Sequence, residues 1–232
     1  MQRIFVGDVQ GCAEELEELI ARVRSAFGEC FELWFVGDLI NRGPDSLRVL
    51  RRVRELIEAG RARAVIGNHE IGLLLNAGGQ RDHSPRDTLG DVLSSPDVEE
   101  WVDWVRRLPL LETGRLGGQD FAMVHAAVHP DWNLEELVRR ARRVEARLGA
   151  ADRREVQRLL AADPRRDEDR AVLGRLTQCR TVTPSGGWSA ELPAPGLRSW
   201  HHEWAARGHG YGVVYGHWAR AGLHVAPWLR GL

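Results

Sequence analysis

The 232-residue sequence has no lysine; its 32 basic residues are all arginine. A Walker A loop needs lysine, so P-loop nucleotide chemistry is excluded, and so is catalysis through a lysine Schiff base. Codon bias in a GC-rich genome is the plainest origin of this absence. Its chemical consequence is that any phosphate clamp must be built from guanidinium groups, which grip phosphate oxygens in pairs. Cysteine is scarce too. Cys12, Cys30 and Cys179 are odd in number, widely spaced and form no CxxC pair, which excludes a disulfide framework or zinc knuckle. No long apolar run marks a membrane span, and Met1–Gly7 lacks the regions of a signal peptide, so a cytoplasmic chain is expected. A net charge of −1 lacks the basic excess of a general nucleic-acid-binding surface.

What is present repeats a βα pattern. Strands are expected at Arg3–Val6, Leu33–Val36 and Ala62–Ile66. Helices follow at Leu16–Phe27, at Leu47–Ile57 and from Ile71 onward. This order predicts a parallel sheet with right-handed crossovers, its strands buried on both faces. The middle is more helical. Val98, Trp101, Val102, Val105 and Leu108 form one apolar stripe, and Leu134, Leu137, Val138, Ala141, Val144 and Leu148 form another. Phe121–Val124, Val213–Tyr215 and Leu223–Val225 read as further strands, and Thr183–Gly196 reads as a loop. The expectation is an α/β chain with a single domain over 1–232 and helical cap elements at about 80–110 and 133–170.

Each early strand ends in a glycine followed by a polar ligand-type residue: Gly7-Asp8, Gly37-Asp38 and Gly67-Asn68-His69-Glu70. Asp8, Asp38 and Asn68 stand 30 residues apart, about one βα unit. The carboxyl ends of parallel strands share one edge, so three oxygen ligands arrive there side by side. His125 and His217 follow later strands in the same way. Two carboxylates, an amide oxygen and two imidazoles suit a paired divalent metal site with one bridging carboxylate. Any one of these residues alone reads more simply as a turn, a cap or a core histidine.

Together, Gly7-Asp8-Val9-Gln10-Gly11, Gly37-Asp38-Leu39-Ile40-Asn41-Arg42-Gly43, Gly67-Asn68-His69-Glu70, Val124-His125-Ala126 and Gly216-His217 resemble the five signature blocks of the calcineurin-like metallophosphatases, within the phosphoprotein phosphatase group. Gly11-Cys12, Asn41-Arg42-Gly43-Pro44, Ser46-Leu47, His125 to Trp132-Asn133-Leu134 and Gly216-His217-Trp218 are similar to bacterial symmetrical diadenosine tetraphosphatases. The resemblance implies a metallophosphatase β-sandwich flanked by helices, which hydrolyses dinucleoside tetraphosphates to two nucleoside diphosphates. It implies two divalent ions, manganese foremost, with magnesium, cobalt or zinc as alternatives. Asp8 would hold the first ion, Asp38 would bridge, and Asn68, His125 and His217 would hold the second. A metal-activated hydroxide would attack in line, His69 would act as general acid, and Arg42 and Arg180 would clamp the phosphates. Trp218 is the tryptophan of the motifs, and Trp132 and Trp188 also lie near them as candidates to stack on a base. The other tryptophans read as core.

Four departures set further expectations. Gln10 stands where most phosphoprotein phosphatases have histidine, which predicts a weaker first site that prefers manganese or magnesium to zinc. Asn41 replaces the usual aspartate; it is expected to accept a hydrogen bond from His69 and to disfavour the imidazolium. Glu70 is the protein-phosphatase form of its block, pointing either to a broader substrate range or to a simple helix first-turn acid. The resemblance also implies a further strand beyond Leu232. His83 and His129 are near the site in sequence, and Trp200-His201-His202 reads as an exposed helix face. Competing readings are a protein phosphatase, an RNA cap or 5′-end pyrophosphatase using Arg139, Arg140, Arg142 and Arg143, and a nucleotide-binding module without turnover. The sequence does not set the oligomeric state.

Overall fold

The computed structural model describes residues 1–82, 84–218 and 222–232. The βα alternation forms as expected: β1 (Gln2–Val6), α1 (Ala13–Phe27), β2 (Phe31–Phe35), α2 (Ser46–Glu58), β3 (Ala62–Ala64) and α3 (Asn68–Ala77). The three strands make a parallel sheet in the order β1-β2-β3, with Phe5 opposite Trp34. Their caps are chemically ordinary. The Asp45 carboxylate accepts from the Arg48 N–H at the start of α2, and Gly28, at φ +64°, closes α1.

Two short helices, α4 (Gly90–Leu93) and α5 (Val98–Val105), lead into the hairpin β4 (Leu111–Leu116) and β5 (Gln119–Val124). The sequence pattern missed β4. Its signal was Gly117-Gly118, both at positive φ, which is what a two-residue hairpin turn with Leu116 opposite Gln119 requires. Helices α6 (Leu134–Leu148), α7 (Arg153–Ala161) and α8 (Glu168–Gln178) follow. Next come β6 (Thr181–Val182), β7 (Trp188–Ser189), β8 (Arg198–Ser199), α9 (Trp200–Ala205), β9 (Gly212–Tyr215), β10 (His224–Ala226) and β11 (Leu229–Gly231). The expected loop at Thr183–Gly196 therefore contains a strand: β7 pairs with β6 in a small antiparallel sheet ordered β7-β6-β8.

The second large sheet is mixed, in the order β10-β11-β9-β5-β4. The expectation of one parallel sheet from the βα pattern thus covers only the first three strands. The last strand, β11, is not an edge; it pairs with β9 on one side and β10 on the other.

Strand alternation assigns the two faces of each sheet. Trp34, Val36 and Val65 from the first sheet and Phe121, Met123 and Val214 from the second form one cluster, with Phe5 packed against it. The Trp34 and Phe121 rings meet at 5.4 Å and the Phe5 and Phe121 rings at 5.5 Å, so the sheets face each other. Leu33, Phe35, Ala122, Val124, Val213 and Tyr215 point the other way into a larger core shared with the helices. That core includes Leu137, Val144 and Leu159 of the inserted helices, so these share the main core. Burial of β2 on both faces follows, and every residue of Phe31–Phe35 is buried.

One buried side chain joins the strand ends. The Glu70 carboxylate is fully buried and accepts four backbone N–H groups: Asp38 at 2.9 Å, Leu39 at 2.9 Å, Ile40 at 3.2 Å and Gly67 at 2.8 Å. It locks the loop after β2 to the start of α3. Burial and the nearby Asp38 charge push its pKa up to about 7, and the amide donors hold it from rising further. In Glu70→Gln an amide NH2 must face two of these N–H donors. We predict a loss of about 3 kcal/mol of stability, read as a lower urea midpoint at unchanged m-value; an unmoved midpoint would show that the bracket does not matter.

Candidate functional site

The carboxyl ends of β1, β2, β5 and β9 and the N-terminus of α3 converge on one edge. A cavity of about 400 Å³ there is lined by Asp8, Gln10, Asp38, Arg42, Asn68, His69, Arg180, Leu192, His217 and Trp218. Nine of these ten residues were predicted from sequence; Leu192, from the irregular segment after β7, was not. Asn41 and His125 sit just behind the wall, both buried. A larger cleft of about 500 Å³, lined by Asp131, Arg207, His209 and Tyr211 among others, shares no residue with this cavity.

The inner end of the cavity is a cluster of atoms of metal-ligand type. His125 Nδ1 donates to the Val36 carbonyl at 2.8 Å, which leaves its Nε2 turned inward. His217 Nε2 donates to the Gln178 carbonyl at 3.0 Å, which leaves its Nδ1 turned inward. These two inward nitrogens are 3.2 Å apart. The Asn68 Oδ1 lies 2.6 Å from His217 Nδ1 and 3.1 Å from His125 Nε2. Asp38 Oδ1 lies 3.4 Å from His125 Nε2. Asp38, His125 and His217 each offer a ligand atom, all within 4.8 Å of one another. Backbone carbonyls on the outer ring nitrogens fix both tautomers, as they do for metal-binding imidazoles. The donor set therefore fits a divalent cation. Asp8 stands beside it, its Oδ1 accepting the His217 N–H at 3.2 Å.

Charge here is set by burial working against the neighbouring groups. Burial opposes ionisation of Asp38, but the His125 and His69 rings and the His69 N–H overcome it, holding its pKa down to about 2. Burial would lower His125, yet Asp38 and Asp8 raise it to about 9. His217 is lowered to about 3 by burial and by His125. Asp8 is raised to about 6, first by burial.

The backbone is bent to deliver these groups. Among the described residues the non-glycine positions with positive φ are Gln10, Asp38, Asn41, Arg42, His217 and Trp228. Five of the six belong to the site, where strain of this kind concentrates. Gly67 must be glycine because a Cβ would strike the Asp38 carboxylate and N–H; Gly37, at φ +96°, approaches Gly67 N and His125 Nδ1 closely as well.

His69 lines the wall with Nε2 3.6 Å from Asp38 Oδ2. Its expected relation to Asn41 is reversed. The Asn41 Oδ1 already accepts the N–H of Arg42 at 2.9 Å and of Thr88 at 2.8 Å, which fixes the amide orientation. Its Nδ2 therefore faces His69 Nδ1 at 2.8 Å and donates to it. The ring carries its proton on Nε2, toward the cavity.

Sequence matching over residues 1–221 identifies the calcineurin-like phosphoesterase family. The chain belongs to that family. It is 38% identical to the "Bis(5'-nucleosyl)-tetraphosphatase, symmetrical" of Ralstonia nicotianae, covering 98% of this chain and 82% of that protein. It is also 38% identical to the protein of the same name from Bordetella pertussis, over 96% of this chain and 83% of that one. A crystal structure described as "a putative diadenosine tetraphosphatase" superposes with a TM-score of 0.63 at 27% identity, over 99% of this chain and 82% of that chain. This calcineurin-like phosphoesterase is a metal-dependent hydrolase with an α/β fold.

The other sequence candidates fall away from the phosphoesterase cavity. Trp132 stacks on His129 at 5.0 Å, with the Arg140 and Arg175 guanidiniums against its ring. Trp188 packs on Gly174 of α8. Of the three candidate stacking tryptophans, Trp218 lines the cavity. His201 is buried beside Tyr215 and Trp218, correcting the reading of an exposed face there. His83 lies outside the described residues. Glu70, suspected of setting substrate range, faces only backbone. Arg139, Arg140, Arg142 and Arg143 are each paired with acids (Glu136, Glu168, Glu145 and Asp169), so they form no free basic groove. Among the described residues no helix is long and apolar enough to cross a membrane.

Burial, the largest influence, lowers the His69 pKa, with Arg42 and His125 adding and Asp38 opposing. A bound cation pushes the same way. The ring is therefore neutral at pH 7 and gains its second proton only below its ordinary value of 6.5. A 15N NMR titration checks this; a midpoint above 6.5 would contradict it.

Proposed function

We propose that the chain hydrolyses dinucleoside tetraphosphates symmetrically, diadenosine tetraphosphate giving two ADP. The observation that carries this is one cavity holding the cluster of ligand-type atoms, two arginines and an aromatic ring together. The names of the relatives, at 38% identity over nearly the whole chain, support the same reading.

On this reading Asp8 and Gln10 would hold a first ion, Asn68, His125 and His217 a second, and Asp38 would serve both. When bound, divalent metals supply water activation at neutral pH and draw off phosphoryl charge. Manganese is the expected ion, because Gln10 offers an amide oxygen where imidazole would favour zinc. The Arg42 and Arg180 guanidiniums grip the polyphosphate, as an all-arginine chain must. The central phosphoanhydride breaks as water adds across it, and the leaving nucleoside diphosphate oxygen accepts a hydrogen bond from His69 Nε2–H. A nucleoside diphosphate leaves readily, so a neutral imidazole donor with its proton on Nε2 suffices. Trp218 offers its face to one base. The inserted helices act as a cap that shares the core of a single domain. Three free thiols suit a reducing cytoplasm.

Incubation with manganese and diadenosine tetraphosphate, followed by chromatography, tests the reading. ADP as sole product is expected. AMP plus ATP would mean a different phosphorus is attacked. No turnover, with a phosphopeptide or a capped RNA end hydrolysed instead, would overturn the substrate assignment.

A further inference from the structure

We infer that Leu192 is a specificity-determining residue: it covers a nucleobase at the rim of the catalytic cavity, so that the site selects a polyphosphate ending in a nucleoside over one without a base. The inference rests on the proposed hydrolysis of dinucleoside tetraphosphates.

Eight of the ten side chains that line the cavity are charged or amide groups or imidazoles; Leu192 and the Trp218 indole are the apolar exceptions. Among the large hydrophobic side chains that the described residues leave open to water, Leu192 alone lines this cavity, at 51% exposure. An exposed leucine on a loose loop would mean little. This one stands on a stiff support.

That support is the hairpin between β7 and β8. Its tip is Ala194-Pro195-Gly196-Leu197, the sequence of a type II turn, with Gly196 at φ +83°. The Leu197 N–H donates to the Ala194 carbonyl at 2.8 Å, and the Ala194 N–H donates back to the Leu197 carbonyl at 3.3 Å. Pro193 follows Leu192 directly and restricts its backbone to extended conformations. On the other side the chain is tied to the site. The Thr181 hydroxyl donates to the Glu191 carbonyl at 3.0 Å, and Arg180 Nη1 donates to the Ala190 carbonyl at 2.9 Å. One short stretch therefore steadies a phosphate-gripping guanidinium and, two residues later, presents an isobutyl group. The ordering of that group is completed on folding, so little of its contact energy is spent on ordering when ligand arrives.

The phosphates of a ligand are served by Arg42, Arg180 and the cluster at the inner end. A bare polyphosphate has no surface that gains from an isobutyl group, which only displaces its water. A nucleobase has a broad apolar face. Trp218 offers an aromatic surface to such a ring, and Leu192 adds aliphatic cover that takes more of it out of water. Contact of this kind reads ring area and carries no hydrogen-bond code, so purines are favoured over pyrimidines while adenine and guanine are treated alike.

The test compares wild type, Leu192→Ala and Leu192→Met with manganese. The readouts are kcat and KM for diadenosine tetraphosphate, the inhibition constants of ADP and of inorganic tetraphosphate, and the melting midpoint. L192A is expected to raise KM and the ADP inhibition constant about tenfold, with kcat within about twofold and inorganic tetraphosphate inhibiting as before. Its melting midpoint is expected to stay put, because truncating an exposed side chain leaves no cavity. L192M, close in volume, is expected to bind ADP as wild type does. The inference is overturned if ADP and inorganic tetraphosphate weaken together in L192A, if neither weakens, or if wild type binds dicytidine tetraphosphate as tightly as diadenosine tetraphosphate. If wild type makes AMP and ATP while L192A still loses ADP and keeps inorganic tetraphosphate, the base contact stands and symmetrical cleavage falls. If wild type makes ADP alone and L192A binds ADP unchanged, the cleavage stands and the role of Leu192 falls.

Discussion

The site is organised around four ligand atoms brought so close that a positive charge must sit among them, either the proton that Asp38 and Asp8 hold on His125 or a bound cation. His217 Nδ1 and Asn68 Oδ1 stand 2.6 Å apart, with His125 Nε2 within 3.2 Å of both and the Asp38 carboxylate beside them. Left alone, lone pairs at such distances repel, and only a proton or a cation among them turns repulsion into attraction. The outward nitrogens cannot relieve it, because backbone carbonyls of Val36 and Gln178 hold each ring in its tautomer. Much of the surrounding structure is arranged to keep these atoms where they would not otherwise stay.

That arrangement is costly and visibly compensated. Gln10, Asp38, Asn41, Arg42 and His217 occupy left-handed backbone conformations, at roughly 1–3 kcal/mol each. Glu70 offsets part of this by taking four N–H groups from two loops, and hydrogen bonds to Arg86, Asp87 and Thr88 hold the turn at Asn41 and Arg42. The facing sheets and the helix-side core supply the stability against which such strain is drawn. Rigid strand ends on one side and hydrogen-bonded loops on the other give a cavity that is preorganised for charge.

The sequence made much of this legible because topology and chemistry share one spacing. Asp8, Asp38 and Asn68 recur with the βα period, so the pattern that predicts parallel strands also predicts where their ends meet. His125 and His217 follow apolar runs short enough to be strands, and they too reach the edge. What stayed hidden depends on three dimensions. Glu70 looks like a first-turn acid until its burial beneath two loops is seen. Asp87 sits in a polar stretch far along the chain from Asn41, with no period to connect them. The direction of the Asn41–His69 hydrogen bond is decided by the N–H of Thr88, which no local reading supplies. Strand β7 is only two residues long and exists through its partner β6, so the proline- and glycine-rich composition around it reads as loop.

The ligand cluster makes a prediction measurable by thermal melting of Asn68→Leu and wild type, each with a chelator and with manganese. Leucine is close in size to asparagine and removes one of the clustered acceptors. With chelator, the variant should melt close to wild type, because the proton that Asp38 and Asp8 hold on His125 already offsets the lone-pair repulsion. With manganese, wild type should gain stability in proportion to ion binding and the variant should gain little. A variant that melts well below wild type in chelator, or that gains as much from manganese, would contradict the account of these atoms as a cation site held open by the fold.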